Sequence, residues 1–216
     1  MNRPYVIINC AMSADGKIAL PNRKQLRLSC DKDLERMYKL RNEFDAVLVG
    51  IGSILSDNPK LTVKEKYVKN PCQPIRIVID SKCKTPTDSL VVNQITKTFI
   101  VTNKRCDKKF EKNVEIIECP TDLDGLIDLE IMLDILHKRG IKTLMIEGGG
   151  TVIWSFLKKD LVDDLHVYIA PIIIGGKKTP TMTDGPGIKS EDEIISLKIV
   201  AIKNLGNGIL IHYKRL

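Results

Sequence analysis

The chain is predicted to be an α/β protein, with a mixed, mostly parallel central sheet flanked by helices and an antiparallel hairpin at its C-terminal end. Three observations carry this. Val- and Ile-rich runs recur at Tyr5 to Ala11, Ala46 to Val49, Ile75 to Ile79, Thr98 to Val101, Val114 to Ile117, Thr143 to Ile146 and His166 to Ile174. They are apolar almost without interruption, the pattern of strands covered on both faces. Helical periodicity lies between them: Leu129, Met132, Leu133 and Leu136 fall at i, i+3, i+4, i+7, and Val152, Ile153, Phe156 and Leu157 repeat the spacing. Finally, Ile195 to Ile202 and Ile209 to Tyr213 flank Leu205-Gly206-Asn207-Gly208, whose glycines and asparagine suit the positive φ angles of a hairpin turn. Residues 63–74 read as a long surface connection.

A length of 216 residues with 43% hydrophobic content fits one domain with a real core, and residues 1–216 are read as a single domain. No apolar run approaches the roughly 20 residues that span a bilayer, and the N-terminus lacks a charged-then-apolar leader pattern, so a cytoplasmic protein without a membrane partner is expected. Lys and Arg outnumber Asp and Glu by 34 to 27, but the cations are dispersed and only 5% of residues are aromatic. That distribution argues against a nucleic-acid partner and for an anionic small molecule. The six cysteines (10, 30, 72, 83, 106, 119) form no CxxC pair, so neither a metal site nor a disulfide framework is signalled, and reduced packing residues are expected. The three histidines (137, 166, 212) have no partner motif and are given no role.

The chemistry concentrates in a few turns. From Lys142 an apolar strand runs through Glu147 into Gly148-Gly149-Gly150-Thr151 and then a helix. Glycines let a backbone approach a ligand closely, and a helix start offers N–H groups and a positive dipole end to a phosphate. A tight corner with no ligand is the competing reading. In the helix over 31–43, Leu34, Met37 and Tyr38 form an apolar stripe with Arg41 next on that face; its guanidinium faces either an internal carboxylate or a bound anion. After two further strands come Asp80-Ser81-Lys82-Cys83-Lys84 and Thr102-Asn103-Lys104-Arg105. In open α/β sheets, ligands bind outside the carboxyl ends of strands. The cations there suit the 2′-phosphate of NADPH, whereas Asp80 could hold a ribose diol and favour NADH.

Four segments then stand in a telling order: Met12-Ser13-Ala14-Asp15-Gly16-Lys17-Ile18; Val49-Gly50-Ile51-Gly52-Ser53-Ile54-Leu55 followed by Ser56-Asp57-Asn58-Pro59-Lys60-Leu61-Thr62-Val63; Glu147-Gly148-Gly149-Gly150; and Ala170-Pro171-Ile172-Ile173-Ile174-Gly175-Gly176. Over almost its whole length the chain resembles the riboflavin-biosynthesis reductases: the stand-alone archaeal and fungal enzymes, and the reductase half of the bacterial bifunctional deaminase-reductase. The resemblance implies a dihydrofolate-reductase-like fold, a homodimer, and NADPH-dependent reduction of a phosphorylated ribosylaminopyrimidine to its ribityl form. It implies a cofactor site of Ser53, Asp57, Ser81, Lys82, Cys83, Lys84, Thr102, Gly148, Gly149, Gly150, Thr151 and Gly175. It implies substrate contacts from Asn9, Arg41, Leu61, Lys64 and Glu147, with Glu147 and Asp57 the catalytic candidates. Lys64 stands where the bacterial pattern often has arginine, keeping the charge but not the bidentate fork. Glu147 could also serve its own helix as an N-terminal carboxylate, and Asp57 could simply form the turn before Asn58-Pro59. A true dihydrofolate reductase would carry Pro-Trp in its first flexible loop, and the only tryptophan here is Trp154. The His-x-Glu and Pro-Cys-x-x-Cys signature of the zinc deaminases is absent.

Overall fold

The computed structural model describes residues 2–216. Its elements run β1 (Tyr5–Ser13), α1 (Asp31–Glu43), β2 (Ala46–Gly50), α2 (Ile51–Asp57), β3 (Ile75–Ile79), β4 (Thr98–Thr102), β5 (Val114–Glu118), α3 (Leu129–Lys138), β6 (Thr143–Gly148), α4 (Gly150–Lys158), β7 (Asp164–Ala170), β8 (Leu197–Leu205) and β9 (Gly208–Arg215). The nine strands form one sheet in the order β5-β4-β3-β2-β6-β1-β7-β9-β8. Chain contacts divide the molecule into two compact units: Tyr38–Met145 with the N-terminal residues to Tyr5, and Val6–Met37 with Ile146–Leu216.

In the first unit β2, β3, β4 and β5 pair in parallel, with Leu48 beside Ile77, Ile77 beside Phe99 and Ile100 beside Ile116. Val47, Leu48, Ile77, Val78, Ile100 and Val101 are each fully buried, as continuous apolar strands covered on both faces require. β5 ends the sheet and is guarded by charge: Glu115 is gripped by Lys97 at 2.9 Å and by Arg139. Those partners, Lys97 first, hold its carboxyl below the usual range. α3 begins where Asp128 Oδ1 accepts from the N–H groups of Glu130 (3.0 Å) and Ile131 (3.1 Å).

One cation breaks the apolar rule. Arg76 on β3 is fully buried, and its guanidinium donates to Asn93 Oδ1 (2.7 Å), Asn93 O (2.6 Å) and Thr96 O (2.6 Å). Burial pulls its pKa down to about 10, so it stays charged at neutral pH. The carbonyls it gathers hold the segment that feeds β4.

The second unit is built on β1 and β7, which pair in parallel, while β9 runs antiparallel to both β7 and β8. The hairpin turns over Gly206-Asn207, with Gly206 at φ +65°, the backbone the glycine was expected to supply. Tyr168, fully buried, packs with Leu28 and Ala170 and donates to Asn207 Oδ1 at 3.0 Å, which anchors that turn. The expected strand from His166 to Ile174 stops instead at Ala170, because Pro171 has no N–H for the ladder. The stripe expected on α1 is also redrawn: Asp33 and Tyr38 are its buried residues, and Leu34 and Met37 are half-buried.

The cysteines depart from expectation as well. Cys83 and Cys106 form a disulfide, Cα to Cα 5.7 Å, tying the loop after β3 to the loop after β4. Their 23-residue separation carries no signal; parallel pairing of β3 with β4 is what brings the two loops together. Cys10 and Cys119 fit the packing role, burial pushing their thiols up to about 12 and about 11.

Asp15 closes a clamp between two loops of the second unit. Its carboxylate accepts from Ser13 Oγ (2.6 Å), Ile174 N–H (3.1 Å) and Gly175 N–H (2.7 Å), and these bonds, Ser13 first, draw its pKa down to about 2. A carboxyl depressed by folding contributes stability that is present above the unfolded value near 3.8 and is lost as pH falls toward 2. Acid should therefore loosen the loop around Ile174 and Gly175 between about pH 4 and pH 2, and Asp15→Asn should loosen it at neutral pH. Hydrogen exchange of the Ile174 and Gly175 amides reads this directly; unchanged protection in the variant would show the clamp to be dispensable.

Candidate active site

The expected site residues follow the carboxyl ends of strands in both units. In the first unit, β2 runs into α2, which carries Ser53 and ends on Asp57; β3 runs into Ser81–Lys84; and Thr102 closes β4. Parallel pairing puts the ends of β3 and β4 side by side, and Thr102 Oγ1 donates to Ser81 O at 3.3 Å. Cys83 offers its side chain to the disulfide, and its N–H to Asp80 O at 3.0 Å. Lys82, Lys84, Lys104 and Arg105 are exposed, with Arg105 paired to Asp107 at 3.0 Å.

Asp80 does not sit as a ribose ligand would. It is fully buried, and its Oδ2 accepts from both the N–H and the hydroxyl of Thr85, each at 2.7 Å. The carboxylate organises its own turn. The sequence signal, an acid at a strand end, could not distinguish a turn-former from a diol binder.

The Asp57-Asn58-Pro59-Lys60-Leu61-Thr62-Val63 segment bends twice through left-handed backbone, at Asn58 (φ 44°) and Leu61 (φ 51°). Asn58 terminates α2, and its Oδ1 accepts from Leu90 N–H at 2.7 Å. Leu61 is buried in a conformation that costs a non-glycine residue free energy, a sign that the segment's shape is over-determined by its surroundings. Gln73 then brackets Val63, accepting from its N–H (2.8 Å) and donating to its carbonyl (2.9 Å).

Arg41 and Lys64 meet at the same place. Arg41 Nη1 donates to Thr62 O at 2.9 Å, and its Cζ lies 5.4 Å from the Tyr38 ring centroid; Lys64 Nζ lies 5.5 Å from that centroid. Tyr38 in turn stacks on Tyr67 at 4.6 Å. Two cations around one aromatic ring make an anion-attracting corner.

In the second unit, Glu147 is the penultimate residue of β6, half-buried, ahead of the glycine turn. Gly148 adopts φ +126°, which L side chains rarely reach, and a Cβ there would meet nothing within 4 Å. The Gly148–Gly149 peptide is cis, and Gly149 precedes α4 without any side-chain cap. Gly150 is needed for a different reason. A Cβ on it would lie 2.5 Å from Thr181 O and 2.8 Å from Asp184 N, so this turn backs directly on the helix start. Thr151 follows in the exposed first turn, and Gly175 sits in the Asp15 clamp.

Asn9, on β1, is engaged by a residue that the sequence did not single out. Arg36 Nη2 donates to Asn9 Oδ1 at 2.7 Å while holding Asp33, also at 2.7 Å. The i, i+3 spacing of Asp33 and Arg36 was the available signal.

Comparison with known proteins identifies the family. Residues 4–211 match the model of the RibD C-terminal domain. The chain is 37% identical to the 2,5-diamino-6-ribosylamino-4(3H)-pyrimidinone 5′-phosphate reductase of Archaeoglobus fulgidus over 97% of each chain. It is also 37% identical to the enzyme of the same name from Methanothermobacter thermautotrophicus, over 98% of each. Among solved structures, the Thermotoga maritima diaminohydroxyphosphoribosylaminopyrimidine deaminase/5-amino-6-(5-phosphoribosylamino)uracil reductase superposes with a TM-score of 0.84 at 24% identity, over 99% of this chain and 57% of that one. A riboflavin biosynthesis reductase of Saccharomyces cerevisiae superposes with 0.77 at 23% identity, over 100% and 91%. The mixed sheet with its antiparallel C-terminal strands is thus the dihydrofolate-reductase-like fold that these reductases share. With the family model covering nearly the whole chain and full-length relatives above 30% identity, the chain belongs to the RibD C-terminal domain family and is an oxidoreductase.

Proposed function

We propose that the chain acts as one reductase domain in riboflavin biosynthesis, converting the ribosyl side chain of 2,5-diamino-6-ribosylamino-4(3H)-pyrimidinone 5′-phosphate to the ribityl form with NADPH. The observation that carries this reading is the turn after β6, where Gly148 leaves open backbone ahead of an uncapped helix start. Such a turn suits a pyrophosphate. The names of the full-length archaeal relatives support the substrate. NADPH, when bound, supplies the hydride that reduces C1′ of the opened sugar.

The chain's own task is to hold and orient. Gly148, Gly149, Gly150 and Thr151 offer backbone and hydroxyl to the diphosphate, with Gly175 in the adjoining clamped loop of the same unit. Ser53, Asp57 and the loops Ser81–Lys84 and Thr102 hold the adenosine end, where exposed Lys82, Lys84 and Lys104 favour a 2′-phosphate. Arg41 and Lys64 take the substrate's phosphate, and Asn9, Leu61 and Glu147 contact the rest of it. Glu147 and Asp57 are the carboxylates assigned to hydrogen-bond the aminopyrimidine or move a proton. Fixing two reactants in register can remove ~7–11 kcal/mol of barrier in favourable cases, so positioning alone accounts for much of the catalysis.

A homodimer completes the proposal. β8 ends the sheet, and its register with β9 puts Ile199, Ile202, Ile209, Ile211 and Tyr213 on one face. Ile199 is 53% exposed and Ile202 59%, an apolar face that association would cover.

Three outcomes are expected. Following reduced-nicotinamide absorbance with the diaminopyrimidinone phosphate, kcat/KM should favour NADPH over NADH by about tenfold or more, one well-formed charge contact being worth about that factor. Faster turnover of the deaminated uracil counterpart would reassign the substrate, and no turnover of either would remove the reading. Glu147→Gln should leave NADPH affinity nearly intact and lower kcat/KM about tenfold or more, while Gly149→Val should weaken NADPH binding. A Glu147→Gln protein that chiefly loses thermal stability would make the carboxylate a structural cap. Sedimentation at micromolar concentration should give a dimer that Ile202→Lys dissociates; a monomeric wild type would refute the assembly.

A further inference from the structure

Beside Asn9, which pairs with His166 in the parallel register of β1 and β7, the second unit brings together two histidines and a carboxylate from distant points of the chain. Asp164 and His166 are two residues apart on β7 and so point to the same face. His212 on β9 stands directly opposite His166 in the antiparallel register. The imidazoles meet edge to face at 4.5 Å, and His212 Nε2 is hydrogen-bonded to Asp164 Oδ1. One ligand atom from each of the three residues lies within 4.8 Å of the others. Asp164 is buried, and His166 Nδ1 is buried with no hydrogen-bond partner among the described residues. An unpartnered buried ring nitrogen is costly, and a metal ion is one of the few partners that removes the cost at the lone pair.

We propose that Asp164, His166 and His212 form a binding site for one divalent transition-metal ion, zinc by its donor set, that clamps β7 to β9. Two imidazoles and a carboxylate, with water in the fourth position, are a standard zinc ligand set. Tetrahedral ligand atoms about 2.0–2.1 Å from zinc lie roughly 3.3 Å from one another, so closing the present cluster takes side-chain rotation rather than movement of the strands. The sheet fixes the backbone of all three. Local charge permits the ion. Lys214 Nζ, 3.9 Å from Asp164 Oδ1, is a half-exposed side chain free to swing into water, and Arg36, which faces His166, is already balanced by Asp33 at 2.7 Å. The site's effect is to pin the C-terminal hairpin to the rest of the second unit.

The test uses the full-length chain stripped of metal with a chelator, then titrated calorimetrically with Zn²⁺ and, for spectroscopy, Co²⁺. One saturable equivalent is expected, with a visible cobalt spectrum of nitrogen and oxygen coordination. At about a hundredfold excess over Kd, Zn²⁺ should raise Tm by about 5–10 °C, reversed by chelator. His166→Ala and Asp164→Asn should each weaken Zn²⁺ binding at least about tenfold. Because either change could disturb folding, His212→Gln provides the safer variant: it keeps a donor for Asp164 on a partly exposed side chain, and should fold normally while losing the metal-dependent rise in Tm. Absence of saturable binding, a thiolate-to-cobalt charge-transfer band pointing to the cysteines instead, or unchanged binding in folded His212→Gln would each overturn the proposal.

Discussion

The constraint on which the rest of this molecule depends is that its parallel strands are covered on both faces. A strand buried twice over cannot alternate polar and apolar side chains, so the middles of β2, β3 and β4 are runs of buried apolar residues, Val47 to Val49, Ile77-Val78 and Phe99 to Val101. Several of the proposed site residues then fall where the strands end. Ser53, Ser81–Lys84 and Thr102 in one unit, and Glu147 to Thr151 and Gly175 in the other, lie at or after the carboxyl end of a strand. Arg76 shows how much an exception requires: a guanidinium inside this sheet is tolerated only with three strong carbonyl or amide acceptors around it, and Asn113 shares two of those carbonyls.

The C-terminal hairpin escapes the constraint, and its composition changes accordingly. β8 and β9 are largely exposed, and their two faces differ. One carries the isoleucines and Tyr213; the other carries Lys198, Lys203, Lys214 and His212. An edge strand with one apolar face is an aggregation hazard unless something covers it, whereas the lysines on the opposite face discourage random pairing. This combination is economical for a chain that associates through one face only.

How much of this was legible in the sequence depends on whether the signal was local. The parallel strands, the periodicity of α3 and α4 and the Gly206 turn could be read because each is written in consecutive residues. The short α2 was passed over: seven residues with two glycines nearby carry no usable period, and Asn58 reveals itself as the terminating residue only through its left-handed backbone. Residues that meet through the fold were invisible. Cys83 and Cys106 are joined because β3 pairs with β4, Arg36 reaches Asn9 from a helix to a strand, and His166 faces His212 across 45 intervening positions because β7 pairs with β9. For such pairs, spacing along the chain says nothing; register across the sheet says everything.

Asp80 and Asp15 show why residue type at a strand end is not yet a role. Both follow β-strands, and both are acids next to turn-forming residues. Asp80 is drawn inward by Thr85 and spends its carboxylate on holding one turn rigid, which leaves the exposed Lys82 and Lys84 as the charged groups that loop presents. Asp15 reaches outward and spends its carboxylate on a second loop, fixing Gly175 at a distance of 160 residues in the chain. In the first case the acid removes itself from competition with the lysines, so the loop presents positive charge, as a phosphorylated ligand requires. In the second it substitutes for a strand that Pro171 has ended, supplying from a side chain the acceptor that a neighbouring backbone would otherwise provide. Neither role follows from the letter D; each follows from which donors the fold has brought within reach.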